Sequence, residues 1–198
     1  MKKIIVTMVM ALMTVISLEA QSFNTQIGEA QSFYKSGDLH GTRFALQTAL
    51  NEIDRAIGAE ILKIIPEKMD DMIFVESDDN ITATSMGFAG LFVSRSYLSE
   101  GKNASITIIS DAPFLTGINA ILALPSFASD PNQKKIKVGN NRALLQKSED
   151  ETGEISWDVQ LPFGSTLLTF HCEGVKDEKT IIDMANTIPM DKIARFAQ

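Results

Sequence analysis

The apolar rhythm of this chain changes at Pro66, and that change limits the folds open to it more than any other feature. Before Pro66, Leu46, Leu50, Ile53, Ile57 and Ile61 follow one another at spacings of four, three, four and four. Such spacing lays an apolar stripe along one face of a helix, with Gln47, Asn51, Asp54 and Arg55 off it. A first helix is predicted over about residues 24–36, ended by Gly37 in a left-handed cap, with Asp38 capping the second. The two form a helical hairpin over 21–66, and Pro66 supplies the stop.

After Pro66 the period is two. Met72–Glu76, Ile81–Met86, Gly90–Leu98 and Asn103–Ser110 are rich in Ile, Val, Phe and Thr and read as strands. Glu100, Gly101 and Lys102 make a hairpin turn between the last two. Asp111 is expected to cap a helix with Pro113 in its first turn, Leu115, Ile118 and Leu122 as its buried stripe and Pro125 at its end. Asp130, Pro131 and Asn132 form a loop. Strands return at Lys135–Val138, Ala143–Lys147, Glu154–Leu161 and Thr166–Cys172. Asp177 caps a final helix through Ile188, Pro189 breaks it, and Asp191 to Phe196 add one more turn. Long runs of strands unbroken by helices favour antiparallel pairing. The expected fold class is therefore α+β: an N-terminal helical hairpin, then a domain over 67–198 with a mostly antiparallel sheet packed with two helices.

The first twenty residues read as an address. Lys2 and Lys3 precede a mostly apolar run from Ile4 to Ser17, and Ala20 offers a small residue for cleavage. That is the pattern of a secretory signal peptide, and the run is shorter than the roughly 20 residues a membrane span requires. No cysteine follows Ala20 to take a lipid. The segment is similar to signal peptides of Gram-negative bacteria, which implies a periplasmic or secreted protein with no membrane span after processing. The net charge of −7 argues against a nucleic-acid partner. Disulfides are allowed in such a compartment, but Cys172 is the one cysteine in the chain, so burial alone must hold the fold.

Phe33-Tyr34-Lys35-Ser36-Gly37-Asp38-Leu39, followed by Leu46, Ala49 and Leu50, resembles the inner half of a tetratricopeptide repeat, where a Gly-Asp turn joins two antiparallel helices. Thr42 stands where the repeat has alanine, and Asp54 where it has its closing proline. One copy is present, whereas a solenoid needs at least three. The resemblance implies a helical hairpin that docks on something. Over roughly residues 72–196 the element order is similar to the PsbP-like fold, a family of compact secreted or lumenal accessory domains, and implies an accessory role.

Common catalytic signatures are missing: no G-x-S-x-G elbow, P-loop, G-x-G-x-x-G or H-E-x-x-H occurs. Alternation over Ile155–Leu161 and Thr166–Cys172 allows one candidate grouping. Matching the apolar faces with a four-residue loop sets Trp157 opposite Phe170, Val159 opposite Leu168 and Ile155 opposite Cys172. Ser156 then faces His171, Asp158 faces Thr169, and Asp158 becomes a diagonal neighbour of His171. Ser156, Asp158 and His171 are thus candidate catalytic residues, set against the plainer reading of a polar sheet face. Cys172 points to the opposite face from His171 and is expected in the core.

Glu76, Asp78 and Asp79 lie in an oxygen-rich loop and are candidate calcium ligands, although the loop lacks EF-hand spacing. The acidic stretch Glu149–Glu154 reads as a hairpin tip. His40 is expected to be exposed and inert. Arg95, on the same strand face as Tyr97, is expected to pair with a carboxylate. No cofactor is implied. The expected function is a non-catalytic binding or accessory protein whose partner is another envelope protein or a small apolar ligand. A hydrolase and a calcium-binding module stand as alternatives.

Overall fold

In the computed structural model the described residues are 22–83, 90–112, 114–124 and 132–196. The segment expected to be a signal peptide, the far end of the strand expected over Ile81–Met86, Pro113, and the loop at Asp130 and Pro131 lie outside them. The chain divides into two compact units, with the division between Ala56 and Ile57.

The first unit is the helical hairpin. Helix α1 covers residues 22–36, and α2, Leu39–Ile64, begins here and continues beyond the division. Gly37, at φ 80°, supplies the left-handed residue that ends α1. Its N–H donates to the Tyr34 carbonyl and that of Asp38 to Phe33, which satisfies the last turn of α1. Asp38 starts α2 as expected: its Oδ1 accepts from the Gly41 N–H at 2.8 Å. The buried positions of this unit are alanines, Ala30, Ala45 and Ala49, whose small side chains let helix axes approach closely. Leu46, Leu50 and Ile53, part of the apolar stripe read from the sequence, are exposed. Period 3.6 shows that a helix has an apolar face, and it does not say what lies against that face.

Among the described residues the second unit is an α+β domain built on a nine-stranded sheet. In chain order the strands are β1 (Lys68–Met69), β2 (Met72–Phe74), β3 (Asn80–Ala83), β4 (Leu91–Ser99), β5 (Lys102–Ser110), β6 (Gln133–Val138), β7 (Asn141–Glu149), β8 (Ile155–Phe163) and β9 (Thr166–Glu173). Their spatial order is β1-β2-β4-β5-β9-β8-β7-β6, with β3 pairing on β4. Every recorded pairing is antiparallel. The last strand in the sequence, β9, therefore lies mid-sheet and joins the hairpin β4–β5 to the meander β6–β7–β8.

One face of the sheet carries the main core. Val93, Tyr97, Ile106, Ile108, Leu145, Val159, Leu161, Leu168, Phe170 and Cys172 point inward from the strands. They meet Ile61 and Ile65 at the end of α2, Ile181, Met184 and Ala185 from α4 (Glu178–Ala185), and Met190 and Ile193 from α5 (Met190–Ile193). Each fully buried aliphatic or aromatic side chain contributes about 2 kcal/mol. Gly58 lets α2 press against β3 and β4: a Cβ there would fall 2.6 Å from Ile81 Cγ2 and 3.2 Å from Leu91 and Val93. Asp177 caps α4 as predicted, accepting from the Thr180 N–H at 2.9 Å. On the other face α3 (Leu115–Ala123) sets Ile118 and Leu122 against Leu144 and Leu167.

Two local expectations are corrected. The β8–β9 hairpin turns on two residues, Gly164 and Ser165, so Trp157 faces Cys172 and Val159 faces Phe170. A slip of two residues keeps every side chain on its face, so alternation alone cannot distinguish the two registers. Gly164 at φ 55° favours the tight turn, and Pro162 and Phe163 stay in the strand. Asp111 does not cap α3, whose N-cap is Phe114. Asp111 sits at φ 51°, a left-handed conformation that aspartate tolerates and that an N-cap residue does not adopt.

Candidate functional site

The face of the sheet beyond α3 is polar, and the pairing register arranges it in rows. Ser96, Ser105, His171, Asp158 and Gln146 lie side by side across β4, β5, β9, β8 and β7. A parallel row holds Ser94, Thr107, Thr169 and Gln160, and another holds Asn103, Glu173, Ser156 and Ser148. Alternation puts these side chains on this face because their neighbours in sequence are the core residues.

Two of the three catalytic candidates meet here. Asp158 lies directly opposite His171, not diagonal to it, and its Oδ1 is 2.9 Å from Nδ1. Glu173, which sequence reasoning passed over, takes the other ring nitrogen: its Oε1 is 3.1 Å from Nε2. The signal for it was present, since residues two apart on a strand share a face. Glu173 Oε2 accepts in turn from Asn103 Nδ2 at 2.7 Å. The Asp158 hydrogen bond, then that of Glu173, outweighs partial burial and raises the imidazole from 6.5 to about 9. The Asn103 and His171 hydrogen bonds hold Glu173 below the usual carboxylate range.

At neutral pH His171 is therefore a cation that donates from both nitrogens. Ser156 faces Glu173, and among the described residues no hydrogen bond joins it to the imidazole. A general base needs a neutral nitrogen aimed at its nucleophile. Neither nitrogen is available, so the chain Asn103–Glu173–His171–Asp158 is a closed network across three strands. Its carboxylates flank opposite sides of the ring and do not converge on one point, as metal ligands must.

The acidic loop has another occupation. Glu76, Ser77 and Asp78 form a single 3₁₀ turn with Glu76 and Asp78 exposed. Asp79 is turned to Arg95, accepting from Nε at 2.9 Å and from Nη2 at 2.5 Å. Arg95 Nη1 also donates to the Ile65 carbonyl, and Tyr97 Oη donates to the Pro66 carbonyl at 2.7 Å. The expected pairing of Arg95 with a carboxylate is thus present, and the arginine and tyrosine together tie down the end of α2. Among the described residues no cluster of three His, Cys, Asp or Glu side chains could hold a metal ion. At the hairpin tip, Asp150 Oδ1 accepts from the N–H groups of Thr152 and Glu154, so this carboxylate closes its own turn. His40 is exposed.

Clefts lie elsewhere. One of about 430 Å³ is lined by Leu122, Leu124, Lys135, Lys137 and Arg142, and one of about 370 Å³ by Lys134 with its partner Glu178, Lys147, Trp157 and Lys176. Both are lined by charged side chains, which disfavours an apolar ligand.

The hairpin unit presents the opposite character. Leu39 is 67% exposed, Phe44 65% and Leu50 62%, and Phe33, Tyr34, Leu46 and Ile53 are exposed with them. These large apolar side chains are gathered on one small unit, whereas Ile73 and Phe114 are scattered. Among the described residues no helix is long and apolar enough to cross a membrane. Compared with known proteins, the chain matches no family model, no curated protein and no solved structure.

Proposed function

We propose that the chain is a non-catalytic, exported accessory protein whose N-terminal hairpin docks on another folded protein chain in the periplasm or outside the cell. The observation that carries this reading is the exposure of Leu39, Leu46, Leu50 and Ile53 on α2, a face that costs free energy in water until something covers it. The export pattern at residues 2–20 supports the compartment, and the closed network around His171 supports a role without catalysis.

The test compares the chain with a variant carrying Leu46→Ser, Leu50→Ser and Ile53→Ser. Each bait is cross-linked in an envelope fraction, and recovered proteins are quantified against it. The expected result is a reproducible partner lost at least tenfold in the variant while circular dichroism shows its helices intact. Equal recovery by both chains overturns the reading. N-terminal sequencing of exported material should begin at Gln21.

A further inference from the structure

Helix α3 ends beside the cationic border of the sheet. Ile118 and Leu122 seat it on Leu144 and Leu167, and Leu144 lies directly opposite Lys135 across the β6–β7 pair. Two residues along each strand, Lys137 lies opposite Arg142, so these two share the sheet face that α3 occupies. With Leu122, Leu124 and Lys135 they line the cleft of about 430 Å³, and among the described residues no carboxylate lines it. Lys135 is already engaged: its Nζ donates to the Leu124 carbonyl at the end of α3, where the helix dipole is negative. Lys137 and Arg142 are both exposed, and among the described residues neither meets a carboxylate.

Like charges set directly opposite one another weaken a pair of strands. Composition does not force this pairing, since the chain has 25 acidic residues against 18 basic ones. Lysines on an outermost strand guard it against foreign strands, but Arg142 stands on β7, which already has β6 on one side and β8 on the other. Edge protection therefore does not account for it.

We infer that this cleft binds an anionic amphiphile, a molecule with a phosphate or carboxylate head and a short apolar chain. Arg142 offers a planar fork to two oxygens of the head, and Lys137 adds a point charge from the strand opposite. The negative head between them offsets their mutual repulsion. The apolar chain lies along Ala123 and Leu124, which α3 leaves exposed at its end. A bare anion would leave most of the cleft to water, and a wholly apolar ligand would strip water from two cations without pairing them. The cleft lies within the second unit, so this binding does not depend on the docking role of the hairpin.

Isothermal titration calorimetry of the full chain at low salt tests this, with decyl phosphate kept below the concentration at which it forms micelles. The expected result is one molecule bound per chain with a dissociation constant on the order of 100 µM, weakened severalfold by added sodium chloride. Lys137→Gln with Arg142→Gln should weaken it at least tenfold while circular dichroism and the melting temperature are unchanged. Should the double variant unfold, Lys137→Gln alone carries the same comparison. Lys176→Gln, in the cleft beside Trp157, should leave the affinity as it was. Inorganic phosphate, which lacks the chain, and octyl glucoside, which lacks the charge, should each bind at least tenfold more weakly. No binding at about 2 mM decyl phosphate overturns the inference, as does an affinity that the Lys137 and Arg142 variants leave unchanged or that Lys176→Gln lowers equally. Inorganic phosphate bound as tightly as decyl phosphate overturns the amphiphile, and octyl glucoside bound as tightly overturns the role of the cations. Vesicles of phosphatidylglycerol separate the two sources of such a head. Co-sedimentation lost in the double variant places the ligand in a bilayer surface, whereas binding of decyl phosphate without co-sedimentation places it in solution.

Discussion

Arg95 and Asp79 form a two-pronged ion pair inside the sheet domain, with side chains only 6% and 15% exposed. The guanidinium also lies 4.6 Å over the Phe74 ring and donates to the Ile65 carbonyl, so one cation serves a strand, a loop and a helix end. Removing one partner of such a pair leaves a buried charge without compensation. Asp79→Asn is expected to cost about 3 kcal/mol in urea unfolding, and Asp79→Asn with Arg95→Met should recover part of that loss. A loss below about 0.5 kcal/mol in the single variant would mean that water, not Asp79, solvates the guanidinium.

His171 makes stability depend on pH. Its folded value, raised to about 9 by Asp158 and then Glu173, lies above the unfolded value of 6.5. Its contribution is therefore fully present below pH 6.5 and lost as pH rises through about 9. The melting temperature should fall across that window, and His171→Gln should flatten the fall. A resonance assigned to His171 that titrates near 6.5 in the folded chain would remove the basis for the expectation.

Cys172 is fully buried, and desolvation pushes its thiol up to about 12. The thiolate is the reactive form, so the folded chain at pH 8 should not react with a disulfide reagent. In denaturing urea one thiol per chain should react promptly. Stoichiometric labelling of the folded chain within minutes would show that β9 opens locally.

Gly58 sets helix propensity against packing. Alanine in a helix interior gains about 1 kcal/mol over glycine. Here the added methyl meets Ile81, Leu91 and Val93, two of them fully fixed in the core. Overpacking costs of about 1–3 kcal/mol exceed the propensity gain, so Gly58→Ala should lower stability in thermal unfolding. An increase would mean that β3 gives way easily.

The parts of this fold that periodicity dictates were legible in the residues themselves. The α+β class, the helical hairpin, the Gly37 and Asp177 caps and the inward set Trp157, Val159, Leu168, Phe170 and Cys172 all follow from local rules. The two-residue strand β1 escapes them because a strand so short shows no alternation. The register of β8 on β9 escaped because two residues of slip leave both faces unchanged, and only the conformation of Gly164 decides between them. Of the candidate site, the meeting of Asp158 and His171 could be read. Glu173 was legible too, since it shares a strand face with His171 two residues away; what depended on the register was that Asp158 lies directly opposite the ring and takes its other nitrogen. Asp79 looked like a ligand for a cation from outside and serves one from within, sixteen positions along the chain.

The outermost strand in the pairing order, β6, carries Lys134, Lys135 and Lys137 within its six residues. An incoming extended chain would have to crowd its own backbone against these ammonium groups, so this edge of the sheet is guarded against pairing with foreign strands. That border discourages the edge-to-edge pairing from which fibrils grow.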